Sequence, residues 1–387
     1  IKLGDRSIFE ALTSKAYFNF AAFTPPSLLT KSIMTSWFDD YASQGASAYI
    51  LWANQRERLR ERLAELINCS PKDIGFGDST SGLISNVTLM LDWKPKDRIL
   101  AFNGDFPSVI YPLKNATKQF ELELIMHDLD SFFDDSGLGL ELIENELKKG
   151  LRLIALSSTQ YQTGLLLPIK EIAKLCKKYN AELLVDAAQS CGAIAFDVLD
   201  EDIDYLIAPT HKWMMGIEGG AFIYISSSAM DRVVFRRSGW LSYDNSIEFL
   251  LGAPNKMNYD AVIKKTPQFI ELGMSNSLGL AALEAGISTH LLIGMKSITS
   301  HIQILHDRIE EGLQNIGFKS LRAKNKNSRS SILSFLPPSG QTTIEIAKKF
   351  SDHNIAISTP DGLLRFAPSW PSSFKEVDYM LDAAKSF

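Results

Sequence analysis

Apolar and polar positions alternate along this chain in two rhythms. Short runs that are apolar almost throughout, such as "LRLIALSS" from 151 and "ELLVDAAQ" from 182, read as strands covered on both faces. Between them Ile169, Ile172, Ala173 and Cys176 recur at i, i+3, i+4 and i+7. That spacing predicts a helix opened by Pro168 and ending near Asn180. "IDYLIAP", 203–209, repeats the strand device and delivers "THK". Strand, helix and strand in this order predict an α/β fold, a mainly parallel central sheet with helices on both faces.

Further on, a helix is predicted over 277–293 and another over 301–316, where Ile302, Leu305, Ile309, Leu313 and Ile316 share one face. A smaller α+β C-terminal domain is therefore expected over 285–387. The large domain is expected over 21–284, with residues 1–20 as an N-terminal segment packing on the small domain. A chain of 387 residues is long enough to bury both cores.

Composition narrows the function classes. The net charge is -5, and no basic stripe is interleaved with aromatics, so neither nucleic acid nor an anionic membrane is an expected partner. No apolar run approaches the roughly 18 residues of a membrane span. The three cysteines are widely spaced with no CxxC pair, which predicts free thiols in a reducing cytoplasm. The histidines show no metal-ligand spacing, and no metal site is expected.

Candidate chemistry lies where the strands end. Ligands of open parallel sheets bind beyond the carboxyl ends of the strands, so Asp186, Gln189, His211 and Lys212 are expected to converge on one pocket. Lys212 sits in "APTHKWMMG", among bulky apolar residues that favour the neutral amine and hence covalent catalysis. An isolated lysine would more simply snorkel to the surface. Asp186 reads equally as a counter-charge for a protonated pyridine or as a cap on the segment that follows. "IGFGDSTSGLISN", 74–86, reads as strand, turn and helix start, and Thr80 and Ser81 there suit either a phosphate or plain N-capping. A dinucleotide loop is excluded, because position 80 holds Thr where a third Gly is needed. Arg365, in a strand-like segment, offers a fork for a carboxylate or a surface ion pair.

Taken in order, several stretches carry a resemblance: "YFNFAAFTPPS", "STS" at 79–81, "DFPSVIYP", "TQYQTGLLLPI", "ELLVDAAQS" with the later "HK", "ELGMSN" and "LLRFAPS". Together they resemble the class V aminotransferases, fold-type I pyridoxal-phosphate enzymes that include cysteine desulfurases, kynureninases and related lyases. The resemblance implies pyridoxal 5'-phosphate held by Lys212 as a Schiff base, with Asp186 at the pyridine nitrogen and Gln189 at the phenolic oxygen. It implies Phe106 stacked on the ring, Gln160 beside the cofactor, and Thr80, Ser81 and His211 on the phosphate. Arg365 would anchor the substrate carboxylate, and Asn19 and Ala21 would line the substrate pocket together with the 238–260 loop. It further implies a homodimer with the active site at the interface.

Two positions depart from the pattern: Pro209 replaces a phosphate-binding serine, and Met274 a threonine that reaches across from the partner. Thr210 and Ser275, their neighbours, are expected to supply the missing hydroxyls. No cysteine stands in "IAISTPDGLLR", so desulfuration through a persulfide is not expected. Acting on an α-amino acid, the chain is expected to be an aminotransferase. The alternatives are a lyase cleaving a C–S bond or a kynurenine-like side chain, an epimerase, or a non-catalytic binding module of the same fold.

Overall fold

Seven strands form the central sheet, in the spatial order Ile74–Gly77, Ala221–Ile225, Tyr205–Pro209, Glu182–Asp186, Leu153–Ser157, Arg98–Phe102 and Glu123–His127. All neighbours run parallel except Ala221–Ile225, which is antiparallel to both of its partners. The computed structural model describes residues 1–133, 136–252 and 254–387; Ala253 of the 238–260 loop lies outside them.

The apolar runs sit where their pattern places them. Every residue of Leu153–Ser157, Glu182–Asp186, Tyr205–Pro209 and Ala221–Ile225 is buried. One core lies on each face of the sheet, built around Leu156, Val185 and Leu206 on one side and Ala155, Leu184 and Ile207 on the other. Each such aliphatic side chain contributes about 1.5–3 kcal/mol when taken from water, so the sheet is a rigid base for the loops at its ends.

The ends of the sheet differ in how they treat charge. At the amino end of its strand, buried Glu182 accepts Arg152 Nη1 at 2.5 Å, Arg232 Nε at 3.1 Å and the Tyr205 hydroxyl at 2.5 Å. At the carboxyl ends, Asp105 and Asp186 are buried and neither has a cation within ion-pair distance among the described residues.

The helix Ser277–Ile293 forms as the periodicity predicts, and the next runs Met295–Gln314, beginning earlier than residue 301. Its first turns bury Ile298 alongside Ile302, Leu305, Ile309 and Leu313. The division expected after residue 284 falls inside the first of these helices, which packs against Leu28–Gln44 and Ala48–Ile67. The chain changes direction at Gly294 instead, whose φ of 86° turns one helix into the next at 83°. Beyond it, Leu364–Phe366, Leu333–Leu336 and Lys319–Ser320 form an antiparallel three-stranded sheet. The N-terminal segment joins this part: Ala16–Tyr17 pairs in parallel with Ile355–Ala356, and Asn19 bridges Ala367. Among the described residues no single helix is long and apolar enough to cross a membrane.

Candidate active site

A cavity of about 690 Å³ opens over the carboxyl ends of the parallel strands. Its walls gather Thr80, Ser81, Phe106, Asp186, Gln189, His211, Lys212 and Arg365, with Ala21 from the N-terminal segment. Side chains spread over most of the sequence meet here because each follows a strand of one sheet or is tied to a residue that does.

Lys212 is held by its own main chain. After the strand ends at Pro209, Met215 donates to the Lys212 carbonyl at 3.0 Å and Gly216 to that of Thr210 at 2.9 Å. Thr24 closes the loop from the N-terminal side, giving its amide to the His211 carbonyl at 3.0 Å and its hydroxyl to that of Lys212 at 2.5 Å. Trp213, fully buried, donates Nε1 to Gln189 Oε1 at 3.0 Å, and Gln189 Nε2 donates to the Ala21 carbonyl at 3.0 Å. Gly192 lets the Gln189 turn reach this loop: a Cβ there would lie 2.6 Å from the Trp213 carbonyl carbon.

The Lys212 amine lies 5.5 Å from the centre of the Phe106 ring, within range of a cation–π contact. No carboxylate comes within ion-pair distance of it among the described residues. Burial brings its pKa down to about 8, with Arg365 adding to the fall and Asp186 opposing it. The amine is therefore partly neutral near physiological pH, as covalent catalysis by lysine requires.

Asp186 closes its strand, and burial pushes its carboxyl up from the usual range. Oδ1 accepts the Ala188 amide at 2.8 Å and Oδ2 the Ser108 hydroxyl at 3.4 Å. The two sequence readings of Asp186 are thus compatible, since one oxygen caps the turn while the residue still lines the cavity. The "STS" stretch divides in the same way. Ser79 is the N-cap, accepting the Gly82 amide at 3.1 Å, which leaves Thr80 and Ser81 in the cavity wall on the first turn of Thr80–Met90. The orphan amides of a helix start favour an anion there.

Arg365 is 5 % exposed, and no carboxylate pairs with it among the described residues. Nε donates to Ser358 Oγ at 2.9 Å and Nη1 to the Tyr161 carbonyl at 2.7 Å, which fixes the guanidinium plane in the cavity wall. Burial lowers its pKa to about 10. A buried guanidinium paired only with neutral oxygens is completed by an anion.

Three expected contacts are placed elsewhere. Gln160 lies outside the cavity lining, with its amide spent on its own turn: Oε1 accepts the amides of Gln162 and Thr163, and Nε2 donates to the Gly104 carbonyl at 2.9 Å. Thr210 is fully buried and its hydroxyl serves the carbonyls of Ile217 and Gly220, so it does not replace the serine absent at Pro209. Ser275, expected to reach the phosphate of a partner subunit, lines an adjoining cavity of its own chain and accepts Arg56 Nη1 at 3.2 Å. Asn19 is bridged to Ala367 outside the lining, with its Oδ1 buried and unpartnered.

The cavity also exposes residues that sequence reading passed over: Ser108, Ser157, Thr159 and Tyr161. Ser108 and Tyr161 stand inside the stretches "DFPS" and "TQYQTG", so their neighbours carried the signal. Tyr161 meets Phe106 edge-on at 5.2 Å, giving the cavity an aromatic wall. No cysteine lines it. Cys176 and Cys191 are buried and Cys69 partly so, and burial pushes the thiols of Cys69 and Cys191 up to about 12 and that of Cys176 higher still.

A partly neutral buried lysine, a carboxylate at a strand end, a helix start and an unpaired arginine fit a pyridoxal-phosphate site. Charges of opposite sign in the lining of one cavity, neither with an ion-pair partner among the described residues, are what a ring cation and a substrate carboxylate would satisfy. Comparison with solved structures gives the same fold. The cystine C-S lyase C-DES, in complex with its reaction product cysteine persulfide, superimposes with a TM-score of 0.88 at 22% identity over 98% of this chain and all of its own. The protein has the fold of the fold-type I pyridoxal-phosphate enzymes.

The family model for Aminotransferase class-V matches residues 34–364, and the chain belongs to that family. It is similar to the uncharacterized aminotransferase YcbU of Bacillus subtilis, 24% identical over 85% of this chain and 84% of that protein. It is also similar to a probable cysteine desulfurase of Methanothermobacter thermautotrophicus, 26% identical over 75% of this chain and 70% of that one. The protein is thus an enzyme, and pyridoxal phosphate is its cofactor.

Proposed function

We propose that this chain is an aminotransferase acting on an α-amino acid, with Lys212 as its catalytic residue. The observation that carries this reading is the Lys212 amine, buried in the cavity with its pKa brought down to about 8. When bound, the cofactor supplies an electron sink conjugated to the substrate's α-carbon. Lys212 would hold it covalently until the substrate's amino group displaces that bond, and the freed Nζ would then take the α-proton. Transamination needs the same amine to deliver that proton to the cofactor's carbonyl-derived carbon, since its return to the α-carbon would only restore or invert the substrate.

Asp186 holds the ring nitrogen's proton by its negative charge, and Gln189, fixed between Trp213 and Ala21, faces the same cavity. Thr80, Ser81 and the start of their helix take the phosphate, with His211 beside them. Phe106 offers a ring face without an exchangeable proton, which leaves proton transfer to Lys212. Arg365 binds the substrate carboxylate, and that anchor selects which bond at the α-carbon is aligned for cleavage.

A lyase is the second reading, supported by the lyase and desulfurase names among its relatives and neighbours. Desulfuration through a protein persulfide is the less favoured branch, because every thiol lies outside the cavity. Purified enzyme loaded with pyridoxal phosphate and offered a panel of amino acids distinguishes the two. An aminotransferase turns over only when a 2-oxo acid acceptor is added; steady release of ammonia or sulfide without one would falsify transamination.

A homodimer is proposed as well. Met274, which lines the separate cavity beside Ser275, is an exposed apolar side chain, as are Tyr259, Val262, Leu250 and Leu251 in the segment before it. Sedimentation of a monomer at micromolar concentration would argue against it. Free thiols at all three cysteines are consistent with a cytoplasmic setting.

A further inference from the structure

Asp105 is the residue immediately before Phe106, and its carboxyl is buried behind the cavity wall. Oδ1 accepts the Ser157 amide at 3.3 Å, while Oδ2 is buried with no partner. Ser157 is the register partner of Asp186 in the neighbouring strand, and the charge of Asp186 acts on Asp105. No lysine, arginine or histidine comes within ion-pair distance of Asp105 among the described residues. The groups that face this corner are therefore Asp186 from its strand, the Ser157 amide and hydroxyl from the next, which both favour the charged form of Asp105, the Ser108 hydroxyl bound to Asp186, and Lys212 beyond it.

Two carboxyls sharing a dry region without a cation between them do not both ionise. Glu182, at the other end of the sheet, shows what this chain does where a buried carboxylate is to stay charged: two arginines meet it. We propose that Asp105 is a positioning residue of the active site, a carboxylic acid that keeps one proton beside Asp186, so that the pair carries one negative charge rather than two. The proposal rests on Asp186 being the cofactor's counter-charge. Asp186 can then stay ionised against the ring nitrogen. Burial, with the charge of Asp186 adding to it, pushes the Asp105 carboxyl up to about 7, the range in which the arrangement would respond to physiological pH.

The test uses the apoenzyme, so its failure is separable from that of the cofactor assignments. Infrared spectra recorded from about pH 5 to 9 follow the protonated-carboxyl band. In the native chain part of this band is expected to titrate near neutral pH, and that part is lost in Asp105→Asn. In Asp186→Asn the midpoint of the same component falls by about 1 pH unit, because the neighbouring anion is gone. A band unchanged by Asp105→Asn, or a midpoint unmoved by Asp186→Asn, overturns the proposal; a purely structural aspartate predicts both. Should Asp105→Asn not fold, the comparison of Asp186→Asn with the native chain decides alone. In the loaded enzyme, the neutral-range pH step of the cofactor's visible absorbance is expected to disappear in Asp105→Asn; an unchanged step would count equally against it.

Discussion

The Thr24 hydroxyl donates to the main-chain carbonyl of Lys212 at 2.5 Å, joining the N-terminal segment to the loop that carries the active-site amine. That segment also pairs with Ile355–Ala356 and bridges Ala367, two residues beyond Arg365. One stretch of chain therefore ties the Lys212 loop to the part of the molecule that supplies Arg365. Thr24→Val keeps the volume and removes the bond. The expected cost is about 0.5–1.5 kcal/mol of stability, because the carbonyl loses one of its two donors and keeps the Met215 amide. A drop in kcat of about tenfold should accompany it, as the amine loses its fixed position. Thermal unfolding and steady-state kinetics on one preparation check both.

Lys212 makes the apoenzyme's stability depend on pH. Its folded pKa is about 8 against an ordinary 10.5, so the unfolded chain binds more protons between those values. Stability attributable to this group therefore rises as pH climbs from about 8 toward 10.5, and burial of the charged amine is a full penalty below that window. Lys212→Met should raise the apoenzyme's Tm by a few degrees at neutral pH. The gap should shrink at alkaline pH, which differential scanning calorimetry in two buffers resolves; a gap that widens would refute the burial argument.

Arg365→Lys keeps the charge and loses the fork. It also gives up the bonds to Ser358 and Tyr161 that set the plane. KM for the amino acid should rise at least about tenfold, equivalent to about 1.4 kcal/mol. Cofactor absorbance should be unaffected, since the change is at the substrate anchor; equal weakening of cofactor and substrate binding would place Arg365 on the cofactor instead.

Cys191 stands five positions after Asp186 in sequence, yet its buried thiol contacts Met214 Sδ at 3.6 Å and lies outside the cavity. Cys191→Ala should retain turnover within about threefold and cost about 1 kcal/mol or less, from lost packing. Abolished turnover in a folded variant would reopen a thiol-based mechanism.

The roles expected for Gln160 and Thr210 show what sequence alone did not settle. Each is the right residue type next to a cavity residue, and each has its polar atoms engaged elsewhere. A side chain's available hydrogen bonds depend on which carbonyls and amides the turn brings near it, and short polar residues readily bond their own loop. Asp105 is the reverse case: it sits in the quoted stretch "DFPS", but nothing local distinguishes a solvated aspartate from one buried against a second carboxyl.

By itself, the sequence determined the parallel sheet, through apolar runs long enough for both faces to be buried. It also determined that Asp186, Lys212 and the "STS" helix start would lie at the ends of that sheet, because each directly follows a strand. Those are local consequences of periodicity and need only the neighbouring residues. Tertiary structure decided the rest: that, among the described residues, Arg365 is left without a carboxylate and Asp105 and Asp186 share one corner without a cation, and that Thr24 holds Lys212. Charge compensation and desolvation are properties of the space around a group. That space is filled by segments distant from one another in sequence, so no single stretch of the chain encodes it.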